Sequence, residues 1–382
     1  MTATSAEPTL DRACLLIADL SGYTAYLADA EPAEAPLIAG DLIETVVSRL
    51  RGRFRLAKLE GDAAFMWAPI DQIDGSALLD SIEAAYVAFR QRLRSVAQAT
   101  DCDCAACRGM PGLDLKFVAH VGDVLRHRVA GRDELAGRDV IVAHRLLKGP
   151  AAERAGASSY VLLTDAAIGA LGLDGGALGL VPVVEAYAAL GEVSSGLLDL
   201  GAWWNGARPG MRPEGRSGRA AGRLIARHER LLPVHPSVAW DLLTSPAGRA
   251  RWEGLAIVGE SIAGRRGVGT TTACVAGRLA SVEEIIDWRP FEAFARRVEQ
   301  PGLGRLTAVH RLSEMAAATL LEVSWFGPAR GSLDLEAGAR FTEAQAAALD
   351  RLVDVAARDG GEVPGRTGDG GPPRSGVVVG GP

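Results

Sequence analysis

Cys14-Leu15-Leu16-Ile17-Ala18-Asp19-Leu20-Ser21-Gly22-Tyr23-Thr24 and Lys58-Leu59-Glu60-Gly61-Asp62-Ala63-Ala64-Phe65 each set one carboxylate at the end of an apolar run. Cys14 to Ala18 reads as a buried strand delivering Asp19, and Phe65-Met66-Trp67 as a strand leaving Asp62. Two carboxylates on neighbouring strand ends suit a pair of magnesium ions, hard cations that take oxygen ligands and keep waters for substrate phosphates. That is the chemistry of a nucleotide site. Taken singly, each carboxylate has a plainer reading: Asp19 can cap the helix that follows it, and Gly61-Asp62 can be an ordinary hairpin turn.

Working outward, Gly22 to Leu27 and Pro36 to Leu50 read as helices, the second with an apolar face through Leu42, Ile43, Val46, Val47 and Leu50. Strands over Arg53 to Leu59 and Ala63 to Trp67 form a hairpin across Glu60-Gly61-Asp62. A long helix spans Ser76 to Ala97, with Leu78, Leu79, Ile82, Ala85, Tyr86, Phe89 and Leu93 at helical spacing. A strand from Leu113 to Val121, its partner from Val124 to Val129 and a helix from Val140 to Leu147 follow. The fold class is α+β, and this order predicts a ferredoxin-like sheet with helices on one face.

The chain has 382 residues, 48% hydrophobic and 23% charged, with a net charge of −6. That describes two globular domains and gives no basic field for a polyanion, so nucleic acid is not expected as a partner. Met1 to Arg12 lacks a signal-like segment and no apolar run reaches membrane-spanning length, which points to the cytoplasm and to no membrane partner. Lys58, Lys116 and Lys148 are the only lysines among 41 basic residues, so a lysine at a motif position carries more information here than in an ordinary chain. Cys102, Cys104 and Cys107 offer three thiolates in a short run, enough to wrap zinc if a fourth ligand such as His120, His127 or a partner chain arrives; the alternative is a reduced surface loop.

Residues 1–10 read as a disordered N-terminus, 11–205 as the first domain and 206–222, rich in glycine, proline and arginine, as a linker. From 223 to 358 a strand, one or two short helices, six strands with period-two alternation and a C-terminal helix make a second domain with a curved antiparallel sheet. The Gly/Pro-rich tail, 359–382, reads as disordered. Trp252, Arg297, His310 and Trp325 are candidates for lining a pocket in the second domain, with packing as the default for each.

With these motifs in hand, residues 11 to about 205 resemble the catalytic domain of class III adenylate and guanylate cyclases, and more narrowly an uncharacterised bacterial domain family with the same motifs and a cysteine-rich insert. The resemblance implies that Asp19 and Asp62 hold two Mg or Mn ions, one activating the ribose 3′-hydroxyl and both binding the triphosphate. Lys58 then matches the base-recognising lysine, and Glu134, three residues before Gly137, the carboxylate that accepts from adenine, where the family usually has aspartate. ATP is the implied nucleotide, since guanine-specific relatives tend to place glutamate at the Lys58 position. Arg145 matches the transition-state arginine. Ile141 replaces the family's asparagine, and the lysine that serves the terminal phosphates is missing downstream. The family's site forms between two protomers, which implies a homodimer.

Residues 223 to about 358 resemble the START-like (SRPBCC, polyketide cyclase/dehydrase-like) superfamily through Pro236 to Leu243, Gly267-Val268-Gly269-Thr270 and Glu284 to Pro290. That resemblance implies a helix-grip fold around an apolar cavity that takes a hydrophobic small molecule. Two functions are thus expected: a cyclase-like nucleotide-binding module coupled to a ligand-binding module, or a catalytically inactive cyclase-fold scaffold whose role is ligand binding by the second domain.

Overall fold

The structure is a computed structural model that describes residues 9–29, 35–99, 104–129, 131–150, 156–206, 222–262, 264–276, 279–328 and 334–360. Most of the expected linker, the tail beyond Gly360, Cys102 and the first eight residues lie outside the described residues.

The first sheet begins with β1 (Thr9–Ser21), followed by α1 (Tyr23–Asp29), α2 (Ala35–Leu50), β2 (Arg55–Glu60), β3 (Ala63–Pro69) and α3 (Gly75–Ala99). After α4 (Ala105–Gly109) come β4 (Asp114–Val129), β5 (Arg132–Ala136), α5 (Arg138–Leu147), β6 (Tyr160–Thr164), α6 (Asp165–Ala170), β7 (Val181–Tyr187), β8 (Gly191–Asp199) and α7 (Leu200–Gly206). Strand order is β2-β3-β1-β4-β6-β8-β7, with β5 paired to β4. The first four strands form the ferredoxin-like core, antiparallel throughout, and β6 joins β4 in parallel.

Strand β1 is buried on both sides from Ala13 to Leu20, so it reads as a continuous apolar run and not as an alternating one. Cys14, Leu16, Ala18 and Leu20 face α2 and α3; Ala13, Leu15 and Ile17 face Val142, Ala143, Leu146 and Leu147 of α5. Helices therefore cover both faces, which corrects the expectation of one. The expected hairpin at Gly122-Asp123 is also absent: β4 runs unbroken from Asp114 to Val129. Glycine serves there as a close approach and not as a turn. A Cβ at Gly122 would lie 2.3 Å from the Asp139 carboxylate, which accepts the Asp123 N–H at 2.7 Å.

The second sheet comprises β9 (Arg223–Leu232), β10 (Ala256–Ser261), β11 (Thr271–Ala276), β12 (Leu279–Arg289), β13 (Ala293–Gln300), β14 (Gly304–Met315) and β15 (Ala318–Gly327). The order is β10-β11-β12-β13-β14-β15-β9, all antiparallel. Helices α8 (Pro236–Thr244) and α9 (Pro246–Ala250) follow β9, and the long α10 (Leu335–Gly360) packs Leu349, Leu352 and Val355 into the concave side, a helix-grip arrangement. His235 and Ser245 cap α8 and α9 through their side chains, each helix having proline in its first turn.

Helix α3 joins the two units. Residues 75–89 are buried all round, a pattern its sequence does not announce because Ser76, Asp80, Ser81 and Glu83 interrupt the apolar stripe. The polar side is covered by the second unit. Both oxygens of Asp80, 2% exposed, accept indole N–H bonds at 3.0 Å, from Trp240 on α8 and Trp288 on β12. Arg265 pairs with Glu83 and stands 3.7 Å from Asp80. Arg266 donates to Asp74 at 2.8 Å, and its backbone N–H to Ser76 Oγ at 2.9 Å. Burial of Ser76, Asp80 and Glu83 is tolerated because each finds a partner across the junction, and Ser81 donates to the Ala77 carbonyl within the helix.

Candidate functional site

Period-two alternation decides which side chains can meet above the first sheet. Asp19 follows Leu15 and Ile17 onto the face covered by α5, and its register partner on β4 is Lys116, so both side chains share that face. Lys116 Nζ donates to Asp19 Oδ2 at 2.9 Å. Asp62 sits in the turn after Gly61, whose φ of +68° favours glycine. The Asp62 carbonyl accepts the Leu20 N–H at 3.2 Å, which pins the turn to the end of β1. The turn that carries Asp62 thus lies beside Asp19, whose register partner is Ala63, near enough for the two charges to act on each other. Burial raises both pKa values; the charge of Asp19 pushes Asp62 up further, while the ammoniums of Lys116 and then Lys148 pull Asp19 back down.

Lys58 pairs with Phe65 across the β2–β3 hairpin and so lies on the same face. Its ammonium is 3.7 Å from Glu60, whose other oxygen is 3.2 Å from His144 Nε2 on α5. His144 packs edge-on to Phe65 at 4.8 Å between centroids. Arg145 is exposed on α5 and its charge acts on Tyr187 of β7. Ile141, 52% exposed on the same helix, brings no polar atom to the site. Glu134 stands opposite His127 on β4, a position of the other parity from Lys116, so it lies on the opposite face of the sheet from the carboxylates and Lys58.

Lys116, Lys148, Glu60 and His144 are the site residues that motif reading missed. The available signal was parity: Lys116 follows the even-numbered β4 positions that face α5. The rarity of lysine marked Lys116 and Lys148.

The two-ion expectation can be tested on this donor set. Lys116 takes one oxygen of Asp19, and among the described residues no group of three or more His, Cys, Asp or Glu side chains gathers to hold a metal. The residues do not fit a pair of ions. They do fit one hard cation, held by one or two carboxylates together with phosphate oxygens. At the cysteine run, Cys104 caps α4, its Sγ accepting the Cys107 N–H at 3.4 Å, while Cys102 lies outside the described residues.

In the second unit, the interior holds charge that the sequence reading did not anticipate. The side chains of Arg249, Glu253, Glu283 and Arg296 form a buried ion cluster, with Arg249 to Glu283 at 2.6 Å and Arg296 to Glu283 at 2.9 Å. Burial pushes Glu283 up, but the two guanidiniums outweigh it and hold the carboxyl below its usual range. A small cleft beside the cluster is lined by Arg249, Glu260, Arg266, Arg296, Trp288 and Phe294, among others. The four residues expected to line a pocket are placed elsewhere. Trp252 donates to the Leu242 carbonyl at 2.7 Å, Arg297 pairs with Glu284 at 2.8 Å, His310 stacks on Phe294 at 4.2 Å, and Trp325 packs against Phe341 at 4.9 Å.

Comparison with known proteins bears on the family. Residues 39–154 match the family model described as "Protein of unknown function (DUF2652)". The "Uncharacterized protein Rv2561/Rv2562" of Mycobacterium tuberculosis is 37% identical over 160 residues, covering 42% of this chain and 72% of that protein. The chain belongs to the family of that mycobacterial protein. Among solved structures, this family member is similar to a bacterial light-regulated adenylyl cyclase (TM-score 0.38, 13% identity, 50% of this chain and 52% of that one), of whose length it spans about half. It is also similar to the adenylyl cyclase CyaB from P. aeruginosa (0.36, 13%, 50% and 96%) and to protein MLL2253 from Mesorhizobium loti (0.31, 16%, 36% and 98%). Among the described residues, no helix is long and apolar enough to cross a membrane.

Proposed function

We propose that the first domain is a nucleotide-binding module of the class III cyclase type that holds a nucleoside triphosphate, ATP in preference to GTP, with Mg or Mn at Asp19 and Asp62. The observation that carries this reading is the convergence of those two carboxylates on one sheet face with Lys58, Lys116 and the charge of Lys148. Carboxylates there hold a hard cation, and ammoniums hold phosphate oxygens as compact point charges. Lys58 serves the base and Arg145 the phosphates. Glu134, on the other face, serves the base of a nucleotide bound by a second copy, so the reading includes a homodimer. Exposed Leu56, Leu59, Leu125 and Ile141 supply apolar surface for it.

Turnover in this reading is slow. Ile141 cannot donate to the ribose or the phosphate, and losing one preorganised donor costs on the order of 10²- to 10³-fold in rate. A second reading follows from the same residue: a catalytically inactive cyclase-fold scaffold whose function is ligand binding by the second domain. The cleft there, apolar at Trp288, Phe294 and Ile285 and lined by arginine opposite, favours an amphipathic small molecule over the wholly hydrophobic one expected.

Incubation of the purified chain with ATP or GTP and Mg or Mn, followed by mass spectrometry for a 3′,5′-cyclic product, tests the first reading; product that persists in Asp62→Ala refutes the assigned site. A thermal shift with amphipathic small molecules and none with Mg-ATP selects the second.

A further inference from the structure

We propose that the ammonium of Lys116 takes the place of one of the two cations expected at the paired aspartates, so that this site holds a nucleoside triphosphate with a single divalent ion. The inference rests on the nucleotide-binding reading above and adds its metal stoichiometry.

Three observations lead to it. Strand register makes Asp19 and Lys116 direct neighbours on one face, and the resulting ion pair is 2.9 Å long with both side chains largely shielded from water. A cation that binds Asp19 is confined to its other oxygen or must displace that ammonium, in surroundings where charges are poorly screened. Next, the Asp19 and Asp62 carboxylates are already matched in number by the ammoniums of Lys116 and Lys148, both of which act on Asp19. The triphosphate alone then supplies the negative charge for any divalent ion, and a second ion finds no uncompensated carboxylate charge to hold it.

The choice of residue is the third observation. The chain uses lysine only three times among 41 basic residues, and all three lysines fall around these carboxylates: Lys116 on Asp19, Lys148 acting on it, and Lys58 on Glu60 beside them. Arginine is the default cation elsewhere, in the junction and in the buried cluster of the second unit. A planar, forked guanidinium cannot imitate a spherical ion, but a compact ammonium with three donors can reach a carboxylate and a phosphate oxygen together.

The test counts bound metal on the full chain. With α,β-methylene-ATP as the nucleotide probe and Mn²⁺ as the ion, equilibrium dialysis with electron paramagnetic resonance gives Mn²⁺ per bound nucleotide. One per nucleotide is expected for the wild type, two for Lys116→Met, and one for Lys148→Met, an exposed position whose loss weakens nucleotide binding. Circular dichroism and the thermal midpoint verify that each variant is folded, and Lys116→Gln replaces Lys116→Met if the latter does not fold. Two ions per nucleotide in the wild type, or one in both folded Lys116 variants, overturns the inference and leaves the nucleotide-binding reading standing. No nucleotide bound by the wild type at all overturns that reading and the inference together.

Discussion

Asp80→Asn is expected to cost about 1–3 kcal/mol of stability near pH 4 and to gain up to about 3 kcal/mol relative to the wild type between there and pH 7. Burial at the junction pushes the Asp80 carboxyl from 3.8 up to about 6, with Glu83 adding to the rise and Arg265 and the indole donors of Trp288 and Trp240 opposing it. An unfolded carboxyl titrates near ~4. Between about pH 4 and 6 the folded chain keeps a proton that the unfolded chain has lost, so this group's contribution is full below that window and falls as pH rises through it. A rise from 3.8 to about 6 corresponds to about 3 kcal/mol. Asparagine cannot ionise, but its amide nitrogen cannot accept, so it strands one of the two indole N–H groups; the difference between variant and wild type should start about 1–3 kcal/mol unfavourable and move in the variant's favour by up to that ceiling across the window. Urea unfolding at several pH values, followed by tryptophan fluorescence, measures it. A difference that does not change with pH, or a variant that loses ground as pH rises, would show that Arg265 and the two indoles outweigh desolvation and would refute the reasoning. Asp80→Ala separates charge from hydrogen bonding: it strands two buried indole N–H groups at about 1–3 kcal/mol each, so it should destabilise at every pH.

Glu283→Ala leaves Arg249 and Arg296 sharing only Glu253 in the second unit, and breaking a buried cluster from one side should cost about 3–5 kcal/mol in urea unfolding. Gly122→Ala drives a Cβ into the Asp139 carboxylate and should cost about 1–3 kcal/mol. Gly112→Ala, where a Cβ meets nothing within 4 Å, is the neutral control, and equal midpoints for the two variants would count against the close approach at β4.

The parts of the fold that were legible in the sequence are those where one period dominates. The run Cys14 to Ala18, the helix over Leu42 to Leu50 and the alternating strands of the second domain stand close to where their patterns put them. The β4 reading failed because Gly122-Asp123 has the composition of a turn, while its glycine is needed to admit Asp139, a contact far along the chain. The nearness of Asp19 to the turn that carries Asp62 follows from local pattern, since Asp19 lies near the end of one strand and Asp62 just before the start of its antiparallel neighbour. Lys116 was not legible, because a lysine in a strand declares its face only once the register is known. The buried ion cluster of the second domain was not legible for a related reason: Arg249, Glu253, Glu283 and Arg296 each look like surface charges in their own segments, and only the fold collects them.

Helix α3 shows why the two domains resist separate reading. Its apolar stripe, with Leu78, Ile82 and Tyr86, belongs to the core beneath β1, the strand that ends in Asp19, and its polar stripe is satisfied only by the second unit. Trp288 links that junction to the cleft, since its ring forms part of the cleft wall while its N–H is held by Asp80. A cleft ligand that turns the indole acts against a buried hydrogen bond whose loss costs about 1–3 kcal/mol. By linkage, whatever such a ligand transmits to α3 through this contact is bounded by that same amount. Ten- to hundredfold modulation at the Asp19 face is within its reach. An all-or-none switch, which requires roughly 5.5 kcal/mol of differential affinity, is not, unless the Arg265–Glu83 and Arg266–Asp74 pairs yield together with it.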